Sequence, residues 1–187
     1  ADKFTCELAH EGSGFVWEHY DNRLRPDWDY NKDDPENLYR PWGFQPGHQT
    51  EWAKLLCLLY RRCGQSRMLE RAEALFREAY RLAWDHAHGG LIYGLDLDLN
   101  PFDTKKYFWV QAETIAAAAL LWRGTGDSCY LQAYLELWDY CWHHFVDHRH
   151  GGWYRVLNAD NTRHSSLKSE AGAKCDYHTL SACLIAL

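Results

Sequence analysis

Asp85-His86-Ala87-His88-Gly89-Gly90 returns as Asp147-His148-Arg149-His150-Gly151-Gly152, 62 residues further along the chain. The same offset carries Arg61-x-x-Gly64-x-Ser66 onto Arg123-x-x-Gly126-x-Ser128, Glu51 onto Glu113, and Leu58-Leu59 onto Leu120-Leu121. Agreement of Gly-Gly, Arg and Glu at one offset marks an internal repeat. Self-similarity at a fixed period is the signature of supersecondary units stacked on their copies.

Each unit reads as two helices. Residues 47–63 and 110–124 are apolar nearly all round, as in Leu55-Leu56-Cys57-Leu58-Leu59 and Ile115-Ala116-Ala117-Ala118-Ala119-Leu120-Leu121. That pattern predicts inner helices buried on most faces. Residues 67–86 and 128–146 are amphipathic; the first sets Met68, Ala72, Leu75, Phe76, Ala79, Leu82 and Ala83 on one stripe. After each Gly-Gly, Leu91-Ile92-Tyr93-Gly94-Leu95 and Trp153-Tyr154-Arg155-Val156-Leu157 alternate in a way that predicts small hairpin strands.

Inner and outer helices in alternation predict an all-α fold, an α/α toroid or barrel, with residues 1–187 as one domain. About two and a half helical pairs fit in 187 residues, which is roughly half of a ring. The start at Ala1 and the helical run 179–187 without a stop signal add to the expectation of a fragment that lacks an N-terminal half. Residues 21–41, rich in Asp, Asn, Arg and Pro, break the period. They read as a long loop, and long loops in compact domains are commonly lids.

Composition narrows the function. Twenty Lys and Arg against 26 Asp and Glu leave a net charge of −6, with 47% apolar residues. No basic cluster could neutralise a phosphate track, so nucleic acid is excluded as the main partner. No apolar run approaches the roughly 18 residues of a membrane span, and no signal-peptide core opens the chain. Seven cysteines without a C-x-x-C pair, several in apolar runs, predict buried free thiols. They point to a reducing, cytoplasmic setting. The outer faces show no decisive apolar patch.

Chemistry concentrates at the mouths of the inner helices. In Pro46-Gly47-His48-Gln49-Thr50-Glu51-Trp52, His48 and Glu51 stand three apart and share a helical face. A carboxylate there can fix the imidazole tautomer and raise its basicity. A core histidine satisfied by a structural Glu reads the pair equally well. His178, in Asp176-Tyr177-His178-Thr179, lies within one turn of the repeat-equivalent of Glu113, so it is expected at the same end of the toroid as His48. Trp109, Gln111 and Glu113 open the middle inner helix and suit a sugar, with an apolar ring face beside hydroxyl partners; a core Trp and a capping Glu are the structural alternative. His88 and His150 recur with Gly-Gly and read as turn architecture. Phosphate-binding glycine loops, a nucleophile elbow and metal-ligand spacing are all missing, so no cofactor and no metal are expected.

Pro46-Gly47-His48-Gln49-Thr50-Glu51-Trp52-Ala53, Trp109-Val110-Gln111-Ala112-Glu113 and Asp176-Tyr177-His178-Thr179 occur in the order of the signatures of the N-acylglucosamine 2-epimerase superfamily. The chain resembles the C-terminal half of those proteins over essentially its whole length. The resemblance implies an (α/α)6 barrel and metal-independent isomerisation or epimerisation of a sugar at C2, with the aldose–ketose isomerase branch favoured. It implies His48 and His178 as the acid/base pair, Glu51 beside the first of them, and Trp109, Glu113, Gln111 and Trp52 lining the sugar site. A further His and an Arg of the superfamily belong to the N-terminal half, and the resemblance is compatible with a homodimer. Two other classes compete: an α/α-toroid glycoside hydrolase using Glu51 and Glu113, and a non-catalytic helical-repeat binding module.

Overall fold

The structure, a computed structural model, describes residues 1–37, 39–168 and 177–186. Its helices are α1 (Pro46–Cys63), α2 (Ser66–Ala83), α3 (Phe108–Thr125), α4 (Ser128–His144) and α5 (Tyr177–Ala186), after a single π-helical turn at Lys3–Glu7. Short strands β1 (Gly94–Leu95), β2 (Pro101–Asp103), β3 (Lys106–Tyr107) and β4 (Val156–Leu157) join them. α1, α3 and α5 pack side by side as an inner row, and α2 and α4 cover it from outside. The protein is an open arc of an α/α toroid.

The repeated glycines end the inner helices. Gly64 and Gly126 adopt left-handed φ of 69° and 74°, and each returns its N–H to the carbonyl four residues back, on Tyr60 and Trp122. Nothing lies within 4 Å of the space a Cβ would fill at either, so φ alone demands glycine. α3 is buried from Val110 through Leu121 because inner helices flank it on both sides. α1 has an inner neighbour on one side only, and Leu55, Leu58 and Leu59 remain 38–41% exposed. The expectation of burial on most faces therefore holds for α3 and is corrected for α1.

The outer helices stop earlier than their periodicity suggests. α2 ends at Ala83, rather than residue 86, because Trp84 turns extended and bridges Leu91. α4 gives way likewise where Val146 bridges Trp153. Between these bridges the Asp-His-x-His-Gly-Gly motif makes the same turn twice. Asp85 accepts from the amides of Ala87 and His88 at 2.9 and 3.1 Å, and Asp147 from those of Arg149 and His150 at 2.9 and 3.1 Å. The strands are shorter than expected and pair differently. β1 pairs with β2, whereas β4 pairs antiparallel with β3, the two residues leading into α3.

One ionic link repeats with the fold. Lys106, fully buried, donates to Asp85 at 2.8 Å, to the Ala159 carbonyl at 2.8 Å and to Asn161 at 3.0 Å. Sixty-two residues on, Lys168 pairs with Asp147 at 2.6 Å. Each lysine fastens the entry of one unit to the turn of the preceding one. Burial alone would raise the Asp85 carboxyl, but the bond from Lys106 and the two amides outweigh it and bring it down to about 2.

Two smaller expectations are settled by packing. Among the described cysteines only Cys57 and Cys141 are buried; Cys6, Cys63, Cys129 and Cys183 are exposed, all of them free thiols. Cys175 lies outside the described residues. The described part of 21–41 is held by Trp28, whose ring lies 4.8 Å from that of Trp17 and whose carbonyl accepts from Trp42 Nε1 at 2.7 Å. Among the described residues no helix is long and apolar enough to cross a membrane.

Lys106→Met is expected to lower the unfolding free energy by about 3 kcal/mol, since it takes the buried ammonium from Asp85 and leaves the acceptors on Ala159 and Asn161 without their donor. Lys168 is 29% exposed along its side chain, so Lys168→Met should cost less than half as much. Urea denaturation of the two variants checks the order.

Candidate active site

The site begins with a close approach between α1 and α3. A Cβ on Gly47 would stand 2.6 Å from the Trp109 ring and 2.8 Å from a Val110 methyl. Only glycine lets the first turn of α1 lie against the mouth of α3. Pro46 at the first helical position pre-sets the backbone there. Below the approach, the Thr50 and Thr114 hydroxyls bond to each other at 3.0 Å and tie the two helices. His48 thereby comes to lie over Trp109, with ring centroids 4.8 Å apart.

His48 does not pair with Glu51. Its Nδ1 bonds Glu18 at 2.8 Å, a residue of the extended segment before the long loop. Gln49, one position after the histidine, holds that segment in place. Its amide accepts from Val16 N–H at 2.8 Å and donates to Val16 O at 2.9 Å. Glu51 cannot serve because its carboxylate is directed down the helix, 3.7 Å from Lys54 Nζ. The sequence expectation for Glu51 as the orienting carboxylate is corrected accordingly.

His178 forms a second couple of the same kind. It stands in the first turn of α5, and its Nδ1 bonds Glu113 at 2.7 Å. Glu113 is only 1% exposed, and its other oxygen contacts the ammonium of Lys54. Trp109 lies between the couples, its indole 4.8 Å from His48 and 5.7 Å from His178. Tyr93 meets the edge of the same indole at 6.0 Å. A carboxylate on Nδ1 places the proton there, so Nε2 of each imidazole is left to accept one.

Trp52 joins Glu18, His48 and Glu51 around an open cavity of about 320 Å³. Gln111 does not reach it. Fully buried, Gln111 accepts from Leu91 N–H at 2.9 Å and donates to Leu91 O at 2.8 Å. Gln111 thus does for Leu91 what Gln49 does for Val16. Its expected place among the sugar contacts is corrected, because both ends of its amide are already bonded to backbone.

Charge governs the behaviour of His48. Burial is the largest influence and lowers its pKa, but the charge and bond of Glu18, then the charges of Glu51 and Glu113, outweigh it. The net shift is upward from the ordinary histidine value. The side chain remains 41% exposed, open to a ligand. Glu51, Glu113 and His178 bring possible metal-ligand atoms within 4.8 Å of one another, a grouping that spacing in the sequence did not reveal. The Lys54 ammonium reaches two of the three, so a side chain supplies the cation that such a cluster calls for.

The sequence reading missed Glu18 and Lys54. Glu18 is concealed by the long loop: Gln49 reaches back 33 residues to its backbone partner, whereas Gln111 reaches back 20. The 62-residue register consequently fails before α1. Lys54 left a plainer signal, the one charge within the apolar stretch Trp52-Ala53-Lys54-Leu55-Leu56-Cys57-Leu58-Leu59 of an inner helix.

The family model of N-acylglucosamine 2-epimerase (GlcNAc 2-epimerase) matches residues 1–182. The chain belongs to that family. This N-acylglucosamine 2-epimerase family chain is 54% identical to a D-mannose isomerase of Marinomonas mediterranea, over 95% of its own length and 45% of the relative's. It is 39% identical to a D-mannose isomerase of Thermobifida fusca, over 83% of the chain and 39% of the relative. A crystal structure of D-mannose isomerase superposes with a TM-score of 0.94 at 49% identity, covering 99% of this chain and 47% of that one. The chain spans about half the length of these relatives.

Glu18→Gln is expected to lower the pKa of His48, because the variant removes the largest influence that raises it. An NMR titration of the imidazole should place wild-type His48 above the ordinary value of about 6.5 and the variant below wild type. An unchanged His48 would remove Glu18 from the couple.

Proposed function

We propose that this chain carries the acid/base pair of a sugar isomerase. It would move the C2 proton of an open-chain aldose through an enediolate, with aldose–ketose interconversion of the mannose/fructose kind as the principal reaction. The observation that carries the reading is the pair of couples, Glu18–His48 and Glu113–His178, on either hand of the Trp109 indole. The D-mannose isomerase relatives favour a ketose product.

The C2 hydrogen of an open-chain aldose is acidified by the neighbouring C1 carbonyl, and an imidazole with a pKa near neutrality suits its removal. The base takes the proton on Nε2 while the C2–H electron pair forms the C1–C2 double bond and the carbonyl oxygen becomes anionic. The second imidazole, as imidazolium, meets that charge. Return of the proton to C1, with a proton passed from O2 to O1, gives the ketose. Return to C2 from the opposite face gives the 2-epimer, which is the alternative product for this family. Trp109 supplies an apolar face for the sugar, and Trp52 and Glu51 border the cavity.

Hydrolysis is disfavoured on chemical grounds. A hydrolase needs one carboxylic acid free to protonate a leaving group and a second carboxylate across the bond. Glu113 is buried and engaged by both His178 and Lys54.

The test is product analysis after incubation with D-mannose, D-glucose and N-acetylmannosamine. A ketose is expected from D-mannose. His48→Asn and His178→Asn should each lower kcat by roughly 100-fold or more, with the helical content unchanged. Formation of a C2 epimer with no ketose would move the chain to the epimerase alternative. Full activity in both variants would overturn the acid/base assignment.

A further inference from the structure

Lys54 lies one turn below Glu51, where α1 packs against α3. Its side chain is 2% exposed, with Ala53, Leu56 and Cys57 buried around it on the same helix. The ammonium contacts one Glu113 oxygen and stands 3.7 Å from Glu51. It also lies 5.3 Å from the centre of the Tyr177 ring, on the residue immediately before His178. A charge in such a place is costly unless it is paired. The packing of the toroid does not require it. The repeat-equivalent position is Ala116, buried at the same depth of α3.

The lysine therefore answers a need specific to this end of the ring. Glu113 has one oxygen on His178 and the other on Lys54, so the three form a chain from ammonium to carboxylate to imidazole. Burial, the largest influence, pulls the Lys54 pKa down; the bond and charge of Glu113, then the charge of Glu51, reverse it to a net rise. The ammonium keeps its proton and its charge.

We propose that Lys54 is a positioning residue for the second histidine: its buried ammonium holds Glu113 in the orientation that bonds His178 Nδ1–H and leaves Nε2 free for the substrate. The proposal rests on the isomerase reading for its catalytic consequence, but not for its structural one. Without the ammonium, one oxygen of Glu113 faces Glu51 with no cation between them. The carboxylate then turns away from Glu51, and the turn disturbs its bond to His178.

The test follows the ring protons of His178 by NMR of protein labelled with 15N-histidine, in wild type and in Lys54→Gln, Lys54→Met and Lys54→Arg. Gln fills much of the lysine's volume and can still donate to Glu113, so it separates loss of charge from loss of packing if Met does not fold. Wild type should show a His178 Nδ1–H resonance protected from exchange with water. Gln and Met should lose that protection, and Arg should keep it. In turnover, Gln and Met should lower kcat at least about tenfold with KM changed by less than about threefold, since an interaction that orients a catalytic group acts on kcat. Arg should recover part of the loss. A protected Nδ1–H in the Gln variant, with kcat within about twofold of wild type, would overturn the proposal. If the protein turns over no sugar, the isomerase reading fails, and the His178 resonance still decides the role of Lys54 by itself.

Discussion

The contact of Gly47 with Trp109 is the constraint from which the site follows. Glycine in a helix costs up to about 1 kcal/mol relative to alanine, and here it sits in the first turn of α1. In return the turn rests directly on the indole, with no Cβ to hold the helices apart. Packing of α1 on α3 at this spacing sets His48 against Trp109, joins Thr50 to Thr114, and brings Lys54 to Glu113. α5 then meets the other side of α3 and delivers His178 to the same indole. A larger residue at position 47 would disturb all of these together.

Both histidines are held by carboxylates, yet the two couples differ in their setting. Glu18 comes from an extended segment clamped by Gln49, and it is partly exposed. Glu113 comes from the interior of the inner row and is balanced by a buried lysine. The first couple is therefore open to solvent and charge, and the second is fixed by its surroundings.

The helices and their layering were legible in the sequence because burial leaves a period. Met68, Ala72, Leu75, Phe76, Ala79 and Ala83 line the inward stripe of α2, and the apolar run 115–121 marks the middle of the inner row. Both histidines and Trp109 were legible because they stand at helix mouths in recognisable motifs. The partner of His48 was not. A three-residue spacing permits His48 and Glu51 to meet, but it does not say that Lys54 attracts Glu51 from below while Glu18 arrives from another segment. The role of Gln111 was missed for a related reason: an amide at a helix mouth looks the same whether it awaits a hydroxyl or clamps a neighbouring strand. Only the bonds of Leu91 distinguish the two.

The central claim is that an imidazole, and not direct passage of hydride, carries the hydrogen between C2 and C1. The most direct measurement is conversion of the aldose in D2O, with mass and NMR analysis of the ketose. His48 and His178 are 41% and 24% exposed along their side chains, so a proton held on either ring can exchange with solvent before it is returned. The account predicts deuterium at C1 of the ketose in a measurable fraction of every turnover sample. A ketose free of deuterium at C1, at all extents of conversion, would contradict it.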